Sequence, residues 1–112
     1  NYLPHEQEES IIAAKMPLMK NTSDLKIIKQ MVQVAELSRQ GFINGDISTV
    51  MSPRTVLTWA ENYAIFKDLA FSFRLSFLNK CDELERPIIS EYYQRCFAEE
   101  LLGTSVIQKT DI

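Results

Sequence analysis

The chain has 112 residues, 46% of them apolar and 24% charged, with a net charge of −3. This size fits one domain that buries a single core without disulfide staples, and the mild acidity, with no clustered basic stretch, argues against a nucleic-acid surface. No apolar run reaches the length of a membrane span and no secretory leader opens the chain; the absence of an initiating methionine leads us to expect a piece of a longer protein.

Only three glycines and four prolines punctuate the sequence, so most of it is expected to be helix. The first helix is expected from near Pro4. Glu6, Glu8 and Glu9 crowd its early turns, where carboxylates complement the helix dipole. Ile11, Ile12, Ala13 and Ala14 form its buried part. A connection through Pro17 leads to Asn21-Thr22-Ser23, whose side chains suit capping. The second helix, residues 24 to 40, carries Leu25, Ile28, Val32 and Ala35 in one apolar stripe. Ile27, Met31 and Val34 widen that stripe, which predicts packing on more than one side. Gly41 is the expected C-cap, and residues 42 to 51, with Asn44-Gly45-Asp46, read as a loop.

The third helix, residues 53 to 66, has the clearest start. Ser52 is a good N-cap, because its hydroxyl accepts from an orphan backbone N–H. Pro53 suits the first helical position, where its missing N–H leaves nothing unpaired. Arg54 then falls in the first turn, at the positive end of the dipole, where a cation is unfavourable by about 0.3–1 kcal/mol. Two readings stand at this point. Arg54 is a solvated surface residue, or an anion such as phosphate shares its site. Val56, Trp59, Ala60 and Tyr63 form the buried side of this helix, with Leu57 and Ala64 beside them.

Residues 68 to 80 fit two periods. Phe71, Phe73, Leu75 and Phe77 alternate with Ser72, Arg74 and Ser76 as in a strand, while Leu69, Phe73, Phe77 and Cys81 fit a helical stripe. Helix is expected, because no second strand is available to pair with it. The last helix starts at Pro87. Ile88, Ile89, Tyr92, Tyr93, Cys96 and Phe97 recur at helical spacing, and Leu101 extends the face. These aromatics read as core, although Tyr92 and Tyr93 also suit a partner surface. The chain therefore divides into an all-α bundle of about five helices over residues 1 to 102 and a frayed tail over residues 103 to 112.

Cys81 and Cys96 lie in apolar, helix-like sequence and are expected to be reduced, as in a cytoplasmic protein. A metal site assembled from them with Asp82, Glu83 and His5 is the competing reading, but the sequence has no CxxC, one histidine and no zinc-like ligand spacing. No metal ligands are therefore assigned. No phosphate-binding glycine loop, dinucleotide fingerprint or nucleophile elbow is present. On these grounds the chain is expected to catalyse nothing alone.

Ser52-Pro53-Arg54 on a small helical domain resembles the lid of AAA+ ATPases, where such a motif opens the helix that carries the sensor 2 arginine. Tyr2-Leu3-Pro4 and the acidic helix after it are similar to the segment where MoxR-like AAA+ proteins leave the nucleotide-binding core and enter the lid. A longer likeness covers roughly residues 42 to 101. Val50-Met51-Ser52-Pro53-Arg54-Thr55-Val56 and Thr58-Trp59-Ala60-Glu61-Asn62 resemble the CobS-type AAA+ subunits of aerobic cobaltochelatases. So do Phe77-Leu78-Asn79-Lys80-Cys81-Asp82-Glu83-Leu84-Glu85-Arg86 and Tyr93-Gln94-Arg95-Cys96-Phe97.

The resemblance implies an upstream α/β core with the Walker motifs, which binds most of the ATP and its Mg, and assembly into an AAA+ ring. It implies two further partners: a second motor subunit with a von Willebrand-type domain and a large corrin-binding chelatase subunit. The complex would insert cobalt, its substrate, into hydrogenobyrinic acid a,c-diamide in aerobic cobalamin biosynthesis. Neither a nucleic acid nor a membrane is implied. By the same resemblance Arg54 contacts the ATP γ-phosphate, and Ser52 and Pro53 position it. Residues 79 to 86 read either as a subunit contact or as a solvated turn. Two other functions remain open: a MoxR-type chaperone that matures another metalloenzyme, and a helical interaction module without a nucleotide role.

Overall fold

The computed structural model describes residues 4–17, 19 and 21–97. They form five α-helices: α1 (His5–Lys15), α2 (Thr22–Asn44), α3 (Pro53–Phe66), α4 (Leu69–Ser76) and α5 (Arg86–Phe97). A 3-10 turn at Leu78–Lys80 joins α4 to α5, and no strand occurs among the described residues. The expected all-α bundle is therefore observed. Residues 98 to 112, which include Leu101 and the expected tail, lie outside the described residues, as do Tyr2 and Leu3.

Local signals set most helix starts. Asn21 caps α2 by accepting from the Asp24 N–H at 2.8 Å. Asp68 caps α4 in the same way, through the Phe71 N–H at 3.0 Å. That cap, together with α4's own backbone ladder, resolves the strand-or-helix ambiguity in favour of helix. Between α3 and α4 the chain reverses at Lys67, a non-glycine residue in the left-handed region (φ 57°), and the Lys67 N–H closes α3 onto the Tyr63 carbonyl.

At 23 residues, α2 is the longest element, and it packs against α1, α3 and α5. Ile28, Met31, Val32, Val34 and Ala35 are all buried, as the widened stripe requires. Leu25, assigned to the same stripe, is 46% exposed, because it lies in the first turn of α2, beyond the core. The other half of the core is aromatic. Trp59 of α3 meets Phe73 of α4 at a centroid distance of 4.7 Å, Phe73 meets Tyr93 of α5 at 5.0 Å, and Tyr93 meets Phe97 at 4.9 Å. These are tilted contacts, the arrangement ring quadrupoles favour. The indole N–H of Trp59 is satisfied by the Leu69 carbonyl at 3.3 Å. The Asn62 amide donates to the Ser76 hydroxyl at 2.8 Å, a second tie between α3 and α4.

Gly41 is not the C-cap of α2. The helix runs on to Asn44, and Gly45 caps it at φ 83°, where the absence of a Cβ avoids the left-handed penalty. Gly41 is a buried helical residue, and its requirement is tertiary: the Tyr92 hydroxyl occupies the space a Cβ would take. The loop is correspondingly shorter than expected. Its first turn is closed by Asp46 N–H on the Gly41 carbonyl at 2.8 Å, and Ile47 inserts into the core. Ser48 N–H is held by the Glu85 carboxylate at 2.9 Å, which ties this loop to the turn before α5.

Neither cysteine forms a disulfide. The Cys81 thiol is buried and donates to the Phe77 carbonyl at 3.3 Å. Burial first, and the nearby Glu85 carboxylate second, push its pKa up from 9.0 to about 11. Burial also raises the Cys96 thiol.

Two outcomes follow. Gly41→Ala should destabilise the domain by about 1–3 kcal/mol through overpacking against Tyr92, outweighing the gain of up to about 1 kcal/mol in helix propensity; the midpoint of urea unfolding measures it. Native Cys81 should react slowly with iodoacetamide at pH 8, where roughly one molecule in a thousand carries the thiolate. The rate should climb about tenfold per pH unit toward pH 11. Because the unfolded chain releases this proton first, the thiol's contribution to stability is complete below pH 9 and is lost as the pH rises to about 11.

Candidate functional site

The candidate site is the start of α3. The Ser52 hydroxyl accepts from the Thr55 N–H at 3.2 Å and lies 3.1 Å from the Thr55 hydroxyl, so the cap is made. Pro53 takes the first helical position, as the sequence implies. Arg54 follows, exposed to solvent. The first turn of α3 contains no acidic residue to offset the charge. Among the described residues, no carboxylate pairs with the Arg54 guanidinium.

Arg54 borders a cleft of about 220 Å³ between α1 and α3, lined by Ile11, Ile12 and Lys15 on one side and Pro53, Arg54 and Leu57 on the other. Two cations, Lys15 and Arg54, thus stand at one opening beside a helix N-terminus. Ile11 is 44% exposed there. Chemically, this edge is suited to an anion approaching from outside the domain. Arg54 supplies a charged donor fork, while the apolar floor can meet only something that also buries it.

Behind this edge lies an arrangement that sequence reasoning missed. Glu8 had an adequate local explanation as a first-turn carboxylate on α1, yet it is 1% exposed and forms a two-point fork with Arg39 of α2. Nη1 reaches Oε1 at 2.8 Å and Nη2 reaches Oε2 at 2.8 Å. Arg39 Nε donates to the Met51 carbonyl at 3.0 Å. The Ser38 hydroxyl accepts from the Met51 N–H at 3.1 Å and donates to the Ala35 carbonyl at 2.7 Å. Both backbone groups of Met51, the residue before the Ser52 cap, are therefore held by α2. One signal was available. Arg39 continues the stripe Ile28, Val32, Ala35 at helical spacing, and an arginine on an apolar stripe requires a buried partner.

Among the described residues, no group of three or more histidine, cysteine or carboxylate side chains is placed to hold an ion. Residues 79 to 86 form a turn stitched to itself: Arg86 donates to the Cys81 carbonyl at 3.3 Å and to the Asn79 carbonyl at 3.2 Å, and Asp82 accepts from Leu84 N–H at 2.9 Å. Leu84 at its tip is 86% exposed. Tyr93 is fully buried in the aromatic core and Tyr92 lies over Gly41, so neither presents a ring face for a partner. No helix among the described residues is long and apolar enough to cross a membrane.

Fold and site together define a small all-α domain that turns an arginine outward from a capped helix start. Over 101 residues, 90% of its length, the chain is 58% identical to the aerobic cobaltochelatase subunit CobS of Sinorhizobium sp, and it is a homologue of part of that subunit. It spans about 30% of that relative's length. No protein-family profile matches the chain, and no solved structure matches it.

Ser52→Ala should cost about 0.5–2 kcal/mol by removing the cap, with the loss concentrated at the start of α3. Faster amide exchange at Thr55 than at Tyr63 in the variant is the expected signature.

Proposed function

We propose that this chain is the helical lid of an AAA+ ATPase subunit, that the lid spans residues 1 to 102, and that the intact subunit powers cobalt insertion into a corrin ring. The observation that carries the reading is the position of Arg54. In a segment 58% identical to CobS, it is an exposed cation with no pairing carboxylate among the described residues, on the first turn of a capped helix. In this reading Arg54 is the sensor 2 residue and reaches the γ-phosphate of ATP bound by an upstream core. The guanidinium stays charged at any working pH and presents a rigid fork of donors. It offsets charge that develops on the transferring phosphoryl group.

Ser52 and Pro53 fix the helix start from which Arg54 projects. Lys15 adds a second positive charge at the same opening, and the apolar floor of Ile11, Ile12 and Leu57 packs against the core. ATP and its Mg are held chiefly by that core. The tie between Arg54 and the γ-phosphate is lost on hydrolysis, so the lid can swing as nucleotide state changes. Cobalt is a substrate of the whole complex, and no cluster of metal ligands is assembled among the described residues. The remaining partners are neighbouring subunits of a ring, a second motor subunit with a von Willebrand-type domain, and a large corrin-binding subunit. The assembly works in the cytoplasm, without nucleic acid or membrane.

The test is ATP-dependent cobalt insertion into hydrogenobyrinic acid a,c-diamide by the full-length protein with both partner subunits, comparing wild type with Arg54→Ala. Insertion by the wild type is expected, with a loss of about 10²-fold or more in the variant, the scale of removing one transition-state donor. Insertion unaffected by the substitution removes Arg54 from the mechanism. No insertion from folded, assembled subunits refutes the chelatase reading and directs the search to a MoxR-type chaperone.

A further inference from the structure

Met51 is held more firmly than a loop residue needs to be. Its side chain is fully buried, its N–H donates to the Ser38 hydroxyl, its carbonyl accepts from Arg39 Nε, and Arg39 is locked in turn by the two-point fork to Glu8. Three elements meet there: α1 through Glu8, α2 through Ser38 and Arg39, and the lead-in to α3 through Met51. Arg54 lies three residues further on. Glu8 is in the first turns of α1, close to the end of the domain at which the chain enters. A displacement of α1 is therefore transmitted through one rigid ion pair to the helix start that aims Arg54.

We propose that Glu8, Arg39 and Ser38 form a positioning clamp that sets the direction of Arg54. This rests on the role of Arg54 proposed above. None of the three touches nucleotide. Arg39 and Ser38 act through the Met51 backbone, and Glu8 acts by holding the Arg39 guanidinium in an orientation that directs Nε at the Met51 carbonyl. An apolar pair of similar volume would fill the same space, and such replacements often leave stability unchanged. Packing alone therefore does not require a polar pair here, whereas a directed tie to the Met51 carbonyl requires a donor held in a fixed orientation.

The experiment uses full-length subunit, with residues numbered as here, and follows steady-state ATP hydrolysis in four proteins: wild type, Arg54→Ala, the double variant Glu8→Leu/Arg39→Met, and the triple variant that adds Arg54→Ala to the double. Thermal unfolding first establishes that the double variant is folded; if it is not, Ser38→Ala, which removes one tie to Met51 and no charge, takes its place. The double variant is expected to lose about tenfold to a hundredfold in kcat, the scale of a misplaced catalytic contact, with KM for ATP changed far less. Adding Arg54→Ala should then cost little more, because both changes remove the same contact. Amide exchange at Met51 and Thr55 should quicken in the double variant. A double variant with wild-type kcat, beside a slow Arg54→Ala, overturns the clamp and leaves the reading of Arg54 standing. A slow double variant on which Arg54→Ala still exacts its full factor also overturns it, because the loss then bypasses Arg54. An Arg54→Ala protein that hydrolyses ATP at the wild-type rate removes the reading and the clamp together.

Discussion

The fold turns on the buried fork between Glu8 and Arg39. Two charges taken out of water are costly unless each is met by the other and by further hydrogen bonds. Here the geometry meets that condition: two parallel contacts at 2.8 Å and a third from Arg39 to a backbone carbonyl. Removing either partner would strand the other charge, at a cost of about 3–5 kcal/mol. That is a large fraction of the 5–15 kcal/mol that typically separates folded from unfolded domains. The pair therefore fixes how α1, α2 and the lead-in to α3 meet, and the apolar core fills in around that arrangement.

The bundle has two halves with different chemistry. On the α1–α2 side, aliphatic side chains surround a polar lock, so the angle between helices is set by directed bonds. On the α3–α4–α5 side the contacts are rings, with Trp59, Phe73, Tyr93 and Phe97 meeting in tilted and edge-on contacts. Ring contacts supply large buried area with modest directional preference. The start of α3 lies at the junction of the two halves, its backbone gripped from one side and its buried face seated on the other. A contact on Arg54 is thus made against a support that cannot yield on either side without breaking bonds or opening the core.

The legible parts of the chain were those governed by local physics. Ser52-Pro53 announces a helix start from residues that are neighbours in sequence, and α3 begins and ends where the pattern places it. The extent of α2 was misread because a glycine near the end of a helical pattern is a sound local stop signal, whereas Gly41 answers to Tyr92, 51 residues away. Glu8 was misread for the same kind of reason. A carboxylate early in a helix already has a local role, so nothing prompted a search for a buried partner 31 residues distant. Arg54 stands out in the sequence because its position conflicts with the helix dipole, and the first turn of α3 holds no acidic residue to relieve the conflict. Its proposed ligand is not legible, because phosphate ligands would come from chain outside this domain.

Trp59 carries the only indole in the chain. It sits on α3 five residues beyond Arg54, fully buried, with Tyr93 at 6.2 Å between ring centroids. Its emission belongs to one helix and is sensitive to how that helix rests on α4 and α5. The domain thus contains its own optical probe, on the element whose orientation matters most, and a change in the pose of α3 can be followed in solution without attaching a dye.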